Sequence, residues 1–179
     1  MTPDGKQVLF SPAGQDEMVL ALDTHRVQPL IQTPASERNG VVSPDGRWLA
    51  YESDSSRQFE IYVVPFPNVS AGQWKISTAG GTRPLWAPRG QELFDVTPDG
   101  ALMAVPVDAR DATWSAGSPV KVIEGPYATG APMTARNYDV STDGQRFLMV
   151  KQPANQAPAP QIVVVHNWTT ELKRLAPMN

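Results

Sequence analysis

Pairs of consecutive apolar residues recur along the chain, each pair a few positions after a polar turn. The stretch 43–66, SPDGRWLAYESDSSRQFEIYVVPF, shows the full pattern of a turn, an apolar run, a polar turn and a second apolar run. Continuous apolar runs are typical of strands buried on both faces, whereas half-exposed strands alternate. The pattern therefore predicts sheets that stack on neighbouring sheets. The equivalent pairs are Val8-Leu9, Leu49-Ala50, Leu93-Phe94 and Phe147-Leu148.

Four related turns precede these pairs and mark a repeat. Their third residues, Asp4, Asp45, Arg89 and Asp143, are separated by 41, 44 and 54 residues. In such a turn Pro presets φ, Asp bonds the backbone two residues on, and Gly accepts a positive φ. A period of roughly 40–45 residues with several short strands is typical of propeller blades. Because Arg replaces Asp at position 89, we expect that turn to keep its backbone geometry and lose the side-chain bond.

A third apolar strand and a weaker fourth strand follow in the repeats. The predicted fold is therefore all-β, a β-propeller of four-stranded antiparallel blades, about three of them complete and the others partial. The third strands are predicted at 18–23, 61–66, 102–107 and 162–167, and the fourth strands at 27–32, 73–78 and 120–124.

The blade boundaries follow from these strands. We assign residues 1–33 to a partial blade, 34–78 and 79–124 to complete blades, and 125–167 to a further partial blade, within one propeller-type domain or fragment over 1–179. Trp168, Leu172 and Leu175 share one helical face, which predicts a short terminal helix over 168–176. Since the chain begins inside a repeat, we expect it to be a fragment of a longer parent.

Composition and charge narrow the function classes. The net charge of −3 and the pI near 5.3 give no basic footprint for nucleic acid. The absence of Cys excludes disulfides and thiolate sites, and leaves the compartment undetermined. The sequence shows no signal peptide and no apolar run near the ~20 residues of a membrane span, so we expect a soluble chain without membrane insertion.

The repeats resemble a known family. The runs SPDGRWLAYES and EIYVVPF, then GGTRPLWAPRGQELF, YDVSTDGQRFLMV and the closing HNWTTELKRL, resemble the TolB-type (WD40-like) β-propeller repeat over essentially the whole chain. More narrowly, they resemble the C-terminal propeller of large bacterial proteins, including ones with a serine/threonine kinase domain upstream. The resemblance implies a protein-interaction or ligand-sensing module, in a family that is often extracytoplasmic. The same blade type also precedes the hydrolase domain of prolyl-oligopeptidase-like peptidases.

Motifs for catalysis are scarce. The chain has no G-x-S-x-G elbow and no phosphate-binding Gly loop before a helix. Ser118 to Lys121 matches S-x-x-K, but Pro119 indicates a loop-to-strand passage. His25 and His166 lie at the ends of equivalent strands without local carboxylate support, and we interpret them as solvated. We therefore predict no catalytic residues, no metal and no cofactor.

A candidate binding site emerges from the repeat alignment. Positions four and five residues before the turn-starting Ser43, Ala87 and Ser141 lie at the start of the innermost strands, at one mouth of the central channel. Guanidinium groups gathered there would form a positive spot suited to carboxylate or phosphate. The alternative interpretation is that the arginines bridge neighbouring blades through loop carbonyls. The candidate ligand-binding residues are Arg38, Asn39, Arg83, Trp86, Arg136, Asn137 and Tyr138.

Two function classes remain open. The first is a non-catalytic ligand- or protein-binding module, part of a larger bacterial sensor or scaffold protein, whose partner is a protein, a peptide or a small anion. The second is a small hydrolase of the esterase or phosphoesterase type with its site at the channel mouth. Propellers bury their sheets by closing into a ring. A chain with these partial blades predicts a small ring, an open array or, as we favour, a homodimer that completes one ring.

Overall fold

The structure is a computed structural model that describes residues 1–12, 15–109, 113–125, 127 and 136–150. Within these ranges the chain forms fourteen β-strands in four sheets, and all the strand pairings are antiparallel. The predicted all-β fold of antiparallel blades is thus confirmed. The strand predicted at 162–167, His166 and the helix predicted over 168–176 lie outside the described residues.

The first two sheets follow the chain order. The first sheet contains β1 (Gln7–Phe10), β2 (Glu17–Ala21) and β3 (Val27–Ile31) in that order. The second is a four-stranded blade of β4 (Glu37–Val42), β5 (Trp48–Ser53), β6 (Glu60–Pro65) and β7 (Trp74–Lys75).

The third sheet begins with β8 (Thr82–Trp86), β9 (Glu92–Val96) and β10 (Leu102–Asp108). Its outer position is shared by β11 (Ser115–Ala116) and β12 (Val120–Ile123), which pair with opposite ends of β10. The fourth sheet is the pair β13 (Tyr138–Val140) and β14 (Phe147–Met149).

The repeated turns have the structure that their sequences predict. Asp45 Oδ1 accepts from the backbone amide of Arg47 (3.1 Å), two residues on, and Gly46 adopts φ 75°, as predicted. In addition, Ser43 Oγ donates to Asp45 Oδ1 (2.6 Å) and accepts from the Trp48 amide (3.0 Å). The turns at Thr2 and Ser141 repeat this arrangement. The turn from Ala87 to Gly90 keeps the backbone bond between these residues (2.8 Å) and a φ of 70° without the side-chain bond, as expected from Arg89.

A further copy of this turn connects β9 with β10. Thr97 donates its hydroxyl to Asp99, and Gly100 has φ 90°. The sequence 97–100, TPDG, is identical to 2–5, yet it lies between the second and third strands of its blade. The motif therefore specifies a tight turn and not a unique place in the repeat.

Strand β5 is buried on both faces, as its apolar run predicts. Leu49 and Tyr51 pack in a cluster with Ile31 of the first sheet, whereas Trp48 and Ala50 pack with residues of the third sheet. The core is therefore a series of layers between neighbouring sheets. A third layer joins β8, β9 and β10 to the fourth sheet, where the Phe94 and Phe147 rings meet edge to face at 4.9 Å.

Four tryptophans lie together between the second and third sheets. Trp48 and Trp114 have ring centroids 4.9 Å apart, and Trp74 and Trp86 complete the cluster at centroid distances of 5.6–6.1 Å. Such aromatic contacts add to the stability gained from area burial. Trp48, Trp86 and Trp114 belong to the buried core between these sheets, and the half-buried Trp74 packs against it.

Candidate functional site

The inner strands β4 and β8 start with the same irregularity. Each is interrupted by a bulge, between Arg38 and Val41 in β4 and between Thr82 and Leu85 in β8. Within the bulges Asn39 (φ 56°) and Arg83 (φ 58°) adopt left-handed backbone conformations. Residues other than Gly rarely adopt this conformation, and bulges and such backbone outliers often redirect side chains beside functional sites.

A buried carboxylate holds the two bulges together. Glu52 of β5 accepts from Arg38 Nε (2.7 Å), from Asn39 Nδ2 (2.6 Å) and from the backbone amide of Arg83 (2.5 Å). The Arg38 guanidinium also lies 3.6 Å from the centroid of the Phe59 ring. Arg38 and Glu52 are 4% and 0% exposed, so the positive charge of Arg38 is neutralised inside the second sheet.

Arg83 is buried without such a counter-charge. Its side chain is 4% exposed, its Nε has no hydrogen-bond partner, and no carboxylate oxygen of the described residues lies within 4 Å of its guanidinium nitrogens. Burial lowers the pKa of the Arg83 guanidinium, although arginine stays protonated in proteins. Among the described residues the Nε of this buried guanidinium therefore has no acceptor, although the Glu52 carboxylate attracts its charge.

Tyr138 and Arg136 join this group from the start of the fourth sheet. The buried Tyr138 hydroxyl donates to the carbonyl oxygen of Arg83 (2.7 Å), and burial raises the pKa of that hydroxyl. Arg136 Nη1 donates to the carbonyl oxygen of Pro84 at 3.5 Å, at the long limit for such a bond. Asn137, between them, is half-buried. We call Arg38, Asn39, Arg83, Arg136, Asn137 and Tyr138 the mouth group.

Trp86 lies apart from the mouth group, in the tryptophan cluster. Its indole Nε1 donates to the carbonyl oxygen of Val41 (3.0 Å), a bond that links β8 to β4. Contacts described above bring together five of the predicted residues, namely Arg38, Asn39, Arg83, Arg136 and Tyr138. The sixth member of the mouth group, Asn137, belongs to it by its place in the chain between Arg136 and Tyr138. The Trp86 side chain lies instead between the second and third sheets.

A cavity of about 290 Å³ adjoins the mouth group. The first three sheets and the segment before the fourth all contribute to its wall, through Phe10, Ser11, Glu17, Asn39, Pro84 and Arg136. The cavity therefore lies beside β1, β4 and β8, each an end strand of its sheet.

Glu17 brings a carboxyl group to this cavity and is not among the site residues predicted from the sequence. It accepts from Ser11 Oγ (2.7 Å) and from the Gly40 amide (3.2 Å), and burial raises its pKa. A side chain at position 40 would clash with Glu17, since an added Cβ would lie 2.5 Å from Oε1. The sequence signal was the Arg-Asn-Gly triplet, whose Gly marks a close approach.

Two further buried acids, Glu60 and Asp95, lie between the second and third sheets. Burial acts to raise the pKa of Glu60, but hydrogen bonds from Ser77, Gln58 and Lys75 outweigh it, and the pKa is lowered. Asp95 is 2% exposed, and burial together with the charge of Glu60 raises its pKa to about 7.

Gly81 shapes this acid pair. A Cβ at position 81 would lie 2.7 Å from Ser77 Oγ and 3.0 Å from Asp95 Oδ1. The Gly80-Gly81 pair therefore serves a blade-to-blade crossover, consistent with the absence of a helix after it.

The remaining candidates have ordinary surroundings. Ser118 precedes β12 and Lys121 lies within it, where the ammonium pairs with Glu124 at 3.1 Å, so the S-x-x-K match does not lie on a helix. His25 is exposed in the turn between β2 and β3. Among the described residues no group of three or more His, Cys, Asp or Glu side chains could hold a metal ion. No helix in the described ranges has the length and apolar content needed to cross a bilayer.

Comparison with solved structures identifies the fold. A candidate TolB from Agrobacterium tumefaciens has a TM-score of 0.60 at 20% identity, over 86% of this chain and 57% of that one. TolB from Acinetobacter baumannii has a TM-score of 0.61 at 17% identity, over 87% and 37%. A candidate 6-phosphogluconolactonase from Bacteroides fragilis has a TM-score of 0.55 at 15% identity, over 84% and 46%.

The chain therefore has a TolB-like β-propeller fold, as the repeat resemblance predicted. It spans between about a third and three fifths of the length of these structures. No protein-family model matches the chain, and no curated protein sequence matches it.

Proposed function

We propose that this chain is a non-catalytic binding module of a larger bacterial sensor or scaffold protein, and that its mouth group holds an acidic segment of a partner protein. The observation that carries this proposal is the buried guanidinium of Arg83, whose Nε has no acceptor in the part of the chain that the structure describes. A buried polar group without a partner is costly, and the cost is higher for a charged group. A carboxylate from a ligand would supply both the acceptor and the counter-charge.

The contrast between Arg38 and Arg83 supports this assignment. Arg38 has its carboxylate within its own sheet, at 2.7 Å from Glu52. Glu52 also accepts from Asn39 and from the Arg83 amide, so its oxygens are already occupied. Arg136 adds an exposed guanidinium in the wall of the cavity, and among the described residues it is bonded only through its long contact with the Pro84 carbonyl. Two guanidinium forks at one mouth suit a carboxylate-bearing ligand.

The carboxyl group of Glu17 favours a peptide over a free inorganic anion. Glu17 lines the same cavity as Arg136. An inorganic anion would be repelled by Glu17 when that group is ionised. A peptide can place an acidic side chain against the arginines and donate a backbone N–H to Glu17, so it complements both charges.

The test is the binding of a fluorescently labelled peptide with two adjacent glutamates, measured by anisotropy at low salt. We expect Arg83→Ala and Arg136→Ala each to weaken binding about tenfold or more, because a charge pair is lost. The matched control is Arg89→Ala, which removes an exposed arginine with no side-chain partner among the described residues and should leave binding unchanged. Equal binding by all four proteins would contradict the proposal.

The hydrolase alternative has one observation in its favour. Asp95 carries a pKa near 7 and lies close enough to Tyr138 of the mouth group for its charge to raise the pKa of that hydroxyl. A carboxylate with a pKa near neutrality can act as a general base. Saturable, metal-stimulated turnover of p-nitrophenyl acetate that Asp95→Asn abolishes would favour the hydrolase. Peptide binding without turnover favours the binding module.

A further inference from the structure

A larger cleft of about 560 Å³ lies where the loop between β3 and β4 meets the end of β5. Carboxylate, hydroxyl and amide groups line it, and no lysine or arginine is among the described residues of its wall. The polar side chains that matter are Thr33, Glu37, Tyr51, Ser53, Asp54 and Gln73.

Glu37 is the unusual group in this cleft. The second sheet contains three glutamates that are at most 1% exposed, Glu37, Glu52 and Glu60. Glu52 pairs with Arg38 at 2.7 Å and Glu60 pairs with Lys75 at 3.1 Å. No cation of the described residues pairs with Glu37.

All the hydrogen-bond donors to the Glu37 carboxylate among the described residues are neutral groups. It accepts from the Thr33 hydroxyl (2.5 Å), from the Ser53 hydroxyl (3.4 Å) and from the Thr33 amide (3.4 Å). Hydroxyl donors orient a carboxylate but do not cancel its charge, and a buried charge without a counter-charge is costly. Glu37 therefore lacks the partner that its two neighbours in the sheet have.

Two other residues of the cleft, Asp54 and Tyr51, also lack a partner for one of their polar groups among the described residues. Asp54 accepts from the Ser36 amide (2.9 Å) and forms no ion pair among the described residues. Tyr51 is 2% exposed, and its oxygen accepts from Gln73 Nε2 (2.6 Å), while its own hydroxyl hydrogen has no acceptor in the described part of the chain. A ligand that fits must bring a positive charge and a hydrogen-bond acceptor.

We propose that this cleft binds a lysine or arginine side chain of a partner peptide. The ammonium or guanidinium group would lie between Glu37 and Asp54, and a backbone carbonyl of the peptide would accept from the Tyr51 hydroxyl. The site is separate from the mouth group, because successive residues of a strand point to opposite faces and Glu37 directly precedes Arg38. It does not depend on the function proposed for the mouth group.

The probe is a labelled pentapeptide, acetyl-Ala-Ala-Lys-Ala-Ala-amide, titrated with the full chain and followed by anisotropy. We expect saturable binding that weakens with added salt. The same peptide with norleucine in place of lysine should not bind, because it keeps the alkyl chain and lacks the charge. n-Butylamine should compete at least about tenfold more weakly than the peptide, because it offers no carbonyl to Tyr51. Equal binding of the norleucine peptide would overturn the proposal, and equal competition by the amine would overturn its peptide part.

Variants locate the binding. Glu37→Gln keeps the acceptor for Thr33 and should weaken the lysine peptide about tenfold or more, and Asp54→Asn should weaken it by a smaller factor. Tyr51→Phe should weaken the peptide and leave n-butylamine unchanged. The matched control is Glu92→Gln, on an exposed side chain of β9. Wild-type affinity in the folded Asp54→Asn and Glu37→Gln proteins, or saturable Ca²⁺ binding in place of peptide binding, would overturn the assignment.

Discussion

Arg38 and Arg83 show how one residue type takes two roles at nearly equivalent positions. Both are 4% exposed at the start of an inner strand, but of their two guanidinium groups only that of Arg38 pairs with a carboxylate of the described residues. Removing one partner of a buried ion pair destabilises the fold, because the other charge is left uncompensated. Removing a buried charge that has no partner eliminates an uncompensated charge, so it should not destabilise the fold.

We therefore predict that Arg38→Met lowers the free energy of unfolding by about 3 kcal/mol or more. Arg83→Met should change it by less than about 1 kcal/mol, or raise it. Urea unfolding followed by tryptophan fluorescence measures both. Equal losses of unfolding free energy in the two variants would mean that the Arg83 side chain has a stabilising partner within the fold, which would contradict its role in binding a ligand.

The raised pKa of Asp95 leads to a prediction about how the stability of the fold depends on pH. Its pKa is raised from 3.8 to about 7 in the folded chain, so the folded state binds a proton more tightly than the unfolded state. The contribution of Asp95 to stability is fully present below pH 3.8 and is lost as the pH rises through about 7. Asp95→Asn should remove this loss and raise the free energy of unfolding at pH 8 by up to about 4 kcal/mol.

The measurement is the denaturation midpoint of wild type and Asp95→Asn between pH 4 and pH 8. The two curves should converge at the acid end and separate towards pH 8. Parallel curves across the range would show that Asp95 titrates near its ordinary value.

Much of the residue-level detail could not be predicted from the sequence. The alignment placed Arg38, Asn39 and Arg83 at strand starts, and the structure brings them together, because position within a repeat fixes position within a blade. Glu17 and Glu52 were missed, since an acid in a strand looks solvent-exposed until the facing sheet is known. The contacts of Glu52 with the Arg38 side chain and with the Arg83 backbone amide join residues 14 and 31 positions apart in the chain.

At the scale of elements, the turns are the feature that the sequence specifies best. The hydroxyl of Thr2, Ser43, Thr97 or Ser141 caps each turn by bonding the Asp two residues on. Among the turns of this type in the described residues, only the one from Ala87 to Gly90 lacks both the hydroxyl residue and the Asp. Its backbone is nevertheless the same, because Pro and Gly set the dihedral angles.

Restoring the pair should therefore stabilise the protein. We predict that the double variant Ala87→Ser with Arg89→Asp raises the free energy of unfolding by about 1 kcal/mol, as one net hydrogen bond contributes. Each single variant should give less. Ser141→Ala is the reverse control and should cost a similar amount. If neither single variant nor the double variant changes the free energy of unfolding, the side-chain bond does not stabilise this turn.

At the scale of the whole molecule, the layered core follows from the doubly apolar strands, and the TolB-like fold from the repeat. The repeat period does not specify how the blades close, because closure depends on contacts between the first and last blades. We predict that two chains complete one ring, and thus a mass near twice 19.5 kDa by light scattering after size exclusion. A mass of 19.5 kDa with cooperative unfolding would exclude the dimer.

The central claim is that the mouth group recognises an acidic peptide through Arg83, and a double-mutant cycle tests it most directly. Binding would be measured for wild type and Arg83→Ala, each with the di-glutamate peptide and its di-glutamine counterpart. Charge pairs at protein interfaces show coupling energies of about 1.5 kcal/mol or more. We predict a coupling of that size between Arg83 and the peptide carboxylates. Additive effects of the two changes would contradict the account, because they would show that Arg83 and the acidic side chains do not meet.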